Sequence, residues 1–498
     1  MDSTVKTILG YENIDRNAAV DVECYLSNNL PNIVIVGFAN KSVDEAKERI
    51  RGALSSSKIK LPRKRITINL APADIPKQGS SFDLAIALSI VQSAKMVAGR
   101  TKDSIVIGEL SLDGKVRPVR GIIGKILSGK RIGYKKFIIP EGNIDQAKLI
   151  PGIQILAVGS FEEIFKKLQQ PELLFKNNET SARTLSRTHQ VPDDGLFENI
   201  VGQERAKRAM TIAAAGHHNI LLNGPPGMGK SMLAKALRSI MPPMETEEIL
   251  EVTHLHSLAS QNFDQIITEK PVRTPHHSSS QVSIIGGGTS PKPGEITLSH
   301  NGVLLFDEFP EFSRSVVESL RQPLEDREIT VARAKDTINF PANFILVATA
   351  NPCPCGNYDT PQECTCLANS IARYQKKISG PVLDRIDLFV DVDTIEHSSL
   401  LDTKIQSQNS SKVIRRRVDQ ARSLQLDRSG KLNSQLTSRE LKDSTRLTAE
   451  GRQLLNQAAK KMNLSARGYM RTLRIAHTIS DLNNDEKITA TEITEALQ

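Results

Sequence analysis

The segment Gly224-Pro225-Pro226-Gly227-Met228-Gly229-Lys230-Ser231 fits the pattern GxxxxGKS in full. These residue types suit one task, the holding of a polyphosphate. Glycines let successive backbone N–H groups turn inward at β- and γ-phosphates, at the positive end of the helix that follows. Lys230 neutralises phosphate charge, and Ser231 offers a hydroxyl to Mg2+. Downstream, "GVLLFDEFPEF" ends an apolar run in Asp307 and Glu308. Asp307 would hold the Mg2+ shell and Glu308 would polarise an attacking water. An acidic pair at a strand end is often a solvated turn; a phosphate loop upstream favours catalysis. A third apolar run, "NFILVATAN", ends in Asn351. An Asn at that point can position the lytic water beside the γ-phosphate. The chemistry expected is ATP hydrolysis with Mg2+.

Behind Asn351 lie Cys353, Cys355, Cys364 and Cys366, in two Cys-x-Cys pairs. One pair bites one metal ion, and two pairs make a tetrathiolate, so structural Zn2+ is the favoured reading. Most zinc knuckles use Cys-x-x-Cys, and reduced free thiols are the next reading; a disulfide pair suits the cytoplasm least. Cys24 is alone in a strand and reads as core. His276 and His277 have no Cys or carboxylate at ligand spacing beside them, so a loop or DNA-contact role is preferred to metal.

Something must position these groups. "NILLNGPPGMGKSMLAKAL" reads as strand, loop and helix, and the other two apolar runs read as strands of the same parallel sheet, whose C-terminal ends share one crevice. Around this core, residues 1–168 alternate strand-like and helix-like pieces, as in "RITINLAP" and "SVDEAKERIRGAL", and predict a mixed α/β domain. "GELSLDGKVRPV" reads as a hairpin with an Asp-Gly turn. Residues 169–194 lose apolar periodicity and read as a linker. Residues 195–396 form the nucleotide core, with an insert over 241–300, a hairpin over 328–342 and the cysteine cluster over 353–366. Residues 397–498 show helical spacing throughout, with Ser or Thr caps.

The chain has 498 residues, too many for one core, with 39% hydrophobic and 24% charged residues, the mix of a soluble globular protein. No apolar run approaches bilayer length and the N-terminus has no signal-peptide core, so the expectation is cytoplasmic with no membrane partner. Five cysteines are too few for a disulfide framework. The formal charge of +9 favours nucleic acid or another polyanion, although a Lys-rich proteome gives the same balance. Trp is absent and aromatics are 4%, so no base-stacking platform is written in the composition.

The strings "VGQERAKRAMTIAAAGHHNILLNGPPGMGKS", "RTPHHSSSQVSIIGGGTSPKPGEITLSHNGVLLFDEFPEF", "NPCPCGNY", "LDRIDL" and "LSARGYMRTLRIAHTISDL" closely resemble magnesium-chelatase-like AAA+ ATPases of the bacterial ComM/YifB family. The resemblance covers nearly the whole chain. It implies an α/β fold in three parts: an N-terminal Lon-protease-like domain (ribosomal S5 domain 2-like), a P-loop AAA+ parallel-sheet core with a helix-2 insert, and a C-terminal helical lid. It implies that Arg385 is an arginine finger reaching the γ-phosphate of a neighbouring subunit, so that activity needs a ring, in all expectation a hexamer. It implies that Arg467 is the lid's second sensor, with Arg474 as runner-up on the same helix face. Similar enzymes put the 328–342 hairpin into a central channel, where Arg333 and Lys335 would grip a phosphate backbone; a solvated hairpin tip is the plainer reading.

The expected function is an ATP-dependent DNA motor, a branch-migration helicase acting on single-stranded and branched DNA in natural transformation and recombination. The alternative is a chelatase-like motor that remodels a protein partner. The N-terminal block also resembles the Lon-like domain of RadA recombination proteins, with Ser81 and Lys125 close to the registers of a Ser-Lys peptidase dyad. Phe82 and Asp83 replace the small residues that normally follow the serine, and Lys125 sits among Arg117, Arg120, Lys130 and Arg131. A non-proteolytic domain is therefore expected, its basic cluster with Arg63, Lys64 and Arg65 suiting a DNA-facing tier.

Overall fold

The computed structural model describes residues 4–9, 18–37, 45–73, 77, 79–101, 103–170, 172–177, 196–259, 265–288, 292–332, 337–360, 362–378, 380–392 and 410–498. Contacts divide the chain into two compact units. One is Met1–Arg187 with Glu245–Thr268; the other is Thr188–Met244 with Glu269–Gln498.

The first unit carries the strands β1 (Val5–Leu9), β2 (Ala18–Ser27), β3 (Asn32–Val36), β4 (Arg65–Ala71), β5 (Ser104–Val106), β6 (Glu109–Leu110), β7 (Val116–Arg117), β8 (Lys136–Pro140), β9 (Gln154–Val158) and β10 (Lys176–Asn177). Its main sheet has the order β10-β9-β8-β5-β1-β2-β4-β3 among the described strands, while β6 and β7 pair as the expected hairpin. In β4 the alternation is clean: Ile66, Ile68 and Leu70 are buried and the residues between them are not. The helix Asp83–Ser93 has no polar face in "DLAIALSIVQS", and it is accordingly buried along nearly its whole length. The helix Ala46–Ser56 turns Ile50, Ala53 and Leu54 inward at helical spacing.

The 241–300 insert is divided between the units. The helix Thr246–Ala259 belongs to the first unit, packed on the helix Ile122–Arg131. The approach is close enough that a Cβ on Gly124 would lie 2.4 Å from the His254 ring.

The second unit carries β11 (Ile220–Asn223), β12 (Val272–Arg273), β13 (Gly286–Gly287), β14 (Lys292–Pro293), β15 (Val303–Phe306), β16 (Glu328–Ala332), β17 (Thr337–Pro341), β18 (Ile345–Ala350) and β19 (Leu388–Asp391). Its main sheet runs β12-β15-β18-β11-β19, with every pairing parallel. Strands covered on both faces read as continuous apolar runs, and Val303, Leu304, Leu305 and Phe306 are all fully buried. The helix Lys230–Ile240 presses Leu233, Leu237 and Ile240 into the same core, where truncation of any one to Ala would cost about 2–5 kcal/mol. β16 and β17 pair antiparallel within the expected hairpin. Arg333 and Lys335 lie outside the described residues.

The C-terminal part is helical: Ser411–Ser429, Ser438–Ser444, Ala449–Lys461, Ala466–Asn483 and Ala490–Leu497. Thr437, Thr448, Ser465 and Thr489 cap four of these helices with side-chain oxygens. The first helix returns to the core through Arg415, whose Nε donates to the Ser239 carbonyl at 2.9 Å. Among the described residues no helix is long and apolar enough to cross a membrane.

Candidate nucleotide site

β15, β18 and β11 are neighbours, so Asp307, Asn351 and Gly224 follow the C-terminal ends of adjacent parallel strands. Gly229 heads the helix Lys230–Ile240 with φ +78, a left-handed conformation that a side chain would strain. The loop thus delivers Lys230 and Ser231 at the positive end of that helix.

Lys230 is buried and turned back on its own loop. Its Nζ donates to the Gly224 carbonyl, to the Pro225 carbonyl at 2.7 Å and to Asn351 Oδ1 at 2.9 Å. Burial lowers its pKa to about 8, opposed by the charges of Asp307 and Glu308. Ser231 Oγ donates to Asp307, 2.9 Å from Oδ2 and 3.1 Å from Oδ1. A hydroxyl and a carboxylate held together are hard oxygen donors of the kind Mg2+ takes, so the residues fit that ion.

Sequence reasoning missed Thr349. Its hydroxyl donates to Asp307 Oδ1 at 2.6 Å and accepts the Glu308 backbone N–H at 2.9 Å. One buried side chain thereby ties both acidic residues to β18. Its signal was its place two residues before Asn351, on the same face of the strand. Glu308 itself sits at φ +53 and is exposed at the strand end. Tyr374 was also missed. Its hydroxyl accepts the Asn351 backbone N–H, while burial, with Glu311 and Glu308 nearby, pushes its pKa up to about 12. Asn351, Gly224, Pro225, Tyr358, Tyr374 and Asp391 line a crevice of about 700 Å3.

Arg385 and Arg467 come together elsewhere in this unit. Arg385 pairs with Glu325, and Arg467 Nη2 lies 3.6 Å from the other oxygen of the same carboxylate. Burial, with Arg467 and Arg321 adding repulsion, lowers the Arg385 pKa. Both arginines line a cavity of about 410 Å3 that the phosphate loop does not share. Arg474 lines it too, but its guanidinium is engaged with the Leu436 carbonyl at 2.9 and 3.1 Å.

The four cysteines converge. Cys353 Sγ is 3.4 Å from Cys355 and 3.8 Å from Cys364, Cys355 and Cys364 are 3.6 Å apart, and all four sulfurs lie within 4.8 Å of one another. A tetrahedral ion with sulfurs about 2.3 Å away sets them about 3.8 Å from each other, so the donor set fits Zn2+. His276 and His277 form no such group among the described residues. Their tilted rings lie 4.1 Å apart, and His277 and Phe312 are T-shaped at 6.5 Å.

The magnesium chelatase subunit ChlI family matches residues 196–400, subunit ChlI of Mg-chelatase matches 22–143, and the ChlI C-terminal family matches 408–498. Competence protein ComM of Haemophilus influenzae is 40% identical over 484 residues, covering 96% of this chain and 94% of that protein. The chain belongs to the ComM/YifB family of magnesium-chelatase-like AAA+ ATPases. Uncharacterized protein YifB of Escherichia coli is 36% identical over 480 residues, 96% of this chain and 93% of that protein. Lon protease 2 of Bacillus subtilis is 38% identical over only 99 residues, 20% of this chain and 18% of that protein.

In this ComM/YifB family member, Ser81 and Lys125 are both buried in the first unit. Beside Ser81, Asp83 is clamped by Arg49, with contacts of 2.7 and 3.0 Å, and accepts the Leu110 N–H at 3.2 Å. Burial still pushes the Asp83 carboxyl up to about 6. Cys24, in β2, packs against the apolar core of this unit.

Proposed function

We propose that this chain is a ring-forming, ATP-dependent DNA motor, a branch-migration helicase serving natural transformation and homologous recombination in the cytoplasm. The observation that carries the ATPase part is the convergence of Lys230, Ser231, Asp307, Thr349 and Asn351. The DNA part is supported by the likeness to a competence protein over 96% of the chain and by the formal charge of +9.

Each residue takes the role that its chemistry suits. Residues Gly224 to Ser231 wrap the triphosphate, and Lys230 leaves its loop carbonyls to meet phosphate charge. Ser231 and Asp307 would hold Mg2+, which supplies charge neutralisation at the transferring phosphoryl group. Glu308 polarises the water, and Asn351 positions it. Arg385 reaches the nucleotide of a neighbouring subunit, in a ring taken as a hexamer, and Arg467 beside it serves as second sensor. Their sharing of Glu325 supports a joint action. Arg333 and Lys335, which fall in sequence between β16 and β17, would contact the DNA backbone. The four cysteines would hold structural Zn2+. The first unit is read as a non-proteolytic Lon-like domain, residues 397–498 as the lid.

The deciding experiment measures ATPase rate against added four-way junction, three-stranded junction, single strand and duplex. Lys230→Ala is expected to abolish hydrolysis. Stimulation by junction or single strand, lost in Arg333→Ala/Lys335→Ala, is the expected result. Hydrolysis that no DNA stimulates would move the reading to a chelatase-like motor acting on a protein partner.

A further inference from the structure

We infer that the cysteine clip controls how well the neighbouring crevice binds nucleotide: the clip closed on a metal ion holds one wall of the crevice and the phosphate loop in their binding arrangement. This rests on the Zn2+ reading above and goes beyond it, because it gives the metal a task at the ATP site.

Three observations join clip and crevice. First, the clip is covalently continuous with Asn351, and Cys353 is fully buried two residues later. Second, the turn inside the clip touches the phosphate loop. Gly356 sits at φ +85, and a Cβ there would lie 2.5 Å from Pro226 Cδ. Third, the clip's own residues form the crevice wall. Tyr358, Asp359 and Thr360 line it together with Gly224 and Pro225. Tyr358 is itself tied to the sulfur cluster, its N–H donating to Cys353 Sγ at 3.3 Å.

The physical consequence is direct. The four cysteines are free, and an ion would hold their sulfurs, all within 4.8 Å of each other, together strongly. As neutral thiols they make weak hydrogen bonds, and as thiolates they repel. Opening the clip frees the turn at Gly356 from Pro226 and the wall at Tyr358 from the crevice. Nucleotide affinity falls accordingly, and by linkage a bound nucleotide must slow the loss of the metal.

The test uses the full chain. Zinc is counted by mass spectrometry, and binding is followed with a fluorescent ADP analogue and Mg2+. Wild type should carry about one Zn2+ per chain. Cys364→Ser/Cys366→Ser, in the cysteine pair farther along the chain from Asn351, should lose the zinc and bind the analogue at least about tenfold more weakly, with the far-UV circular dichroism unchanged. If that variant does not fold, two measurements still decide. Gly356→Ala should keep its zinc yet bind the analogue more weakly, and in wild type ADP should slow zinc release to a chelating dye several-fold. Wild type without zinc overturns the Zn2+ reading and this inference with it. Zinc present, but with release indifferent to ADP and affinity within about twofold in the variants, overturns this inference alone.

Discussion

Thr349 is a single hydroxyl serving two acidic residues, one as donor and one as acceptor. Thr349→Val keeps the shape and removes both bonds. An orphaned buried partner costs about 1–3 kcal/mol, which at the transition state is roughly a 5- to 150-fold loss. The expectation is a fall of that size in kcat for ATP hydrolysis with KM little changed; an unchanged kcat sinks the role. Lys230 gives a second prediction. Its proton is held with a pKa of about 8, and triphosphate charge must raise that value. Nucleotide binding near pH 8 should therefore take up protons, and affinity should weaken as pH rises through 8. Titration calorimetry in buffers of different ionisation enthalpy reads the uptake, and Lys230→Met should abolish it. These two residues also mark what a sequence can tell. Lys230 is fixed by type and spacing within one short loop. Thr349 sits in an apolar strand where threonine is ordinary, and only the pairing of β15 with β18 gives it a task.

At the scale of elements, the helix Ala466–Asn483 carries Arg467 in its first turn, and Ser465 caps it by accepting the Gly468 N–H at 3.1 Å. Ser465→Ala should lower stability by about 1 kcal/mol, read as a shift in the denaturant midpoint. It should also raise hydrogen exchange in that first turn. In the first unit, Arg49→Met leaves the Asp83 carboxylate buried without its partner, and a loss of about 3–5 kcal/mol is expected. The strands and helices that position the nucleotide site were legible because apolar runs and glycine punctuation are local signals. The meeting of Arg385 and Arg467 at Glu325 was not, since the three residues come from distant parts of the chain. The cysteine cluster falls between: its spacing pointed to thiols that could share one ion, and the four sulfurs do converge, but the approach of its turn to Pro226 depends on the fold.

For the whole molecule, the role proposed for Arg385, completing a neighbour's site, would make activity a property of the assembly. Mixing wild-type subunits with Arg385→Ala subunits should depress ATPase activity more steeply than the fraction of variant added. A strictly proportional fall would mean that each subunit works alone. The division into units was only partly legible. Periodicity shows where an element lies, but not which core it joins, and Thr246–Ala259 joins the first unit from within the nucleotide core's sequence.

That placement has a consequence for how the chain is made. The first unit is assembled from two stretches of sequence, and its second stretch, Glu245–Thr268, emerges from the ribosome only after β11, the phosphate loop and the helix Lys230–Ile240. The amino-terminal part therefore still lacks that stretch while the start of the second unit is already outside. A shortened protein of residues 196–498 would carry the 14-residue helix Thr246–Ala259 without the surface that seats His254, and a helix of that length alone in water is marginal. Neither unit can be cut from the gene as one uninterrupted block.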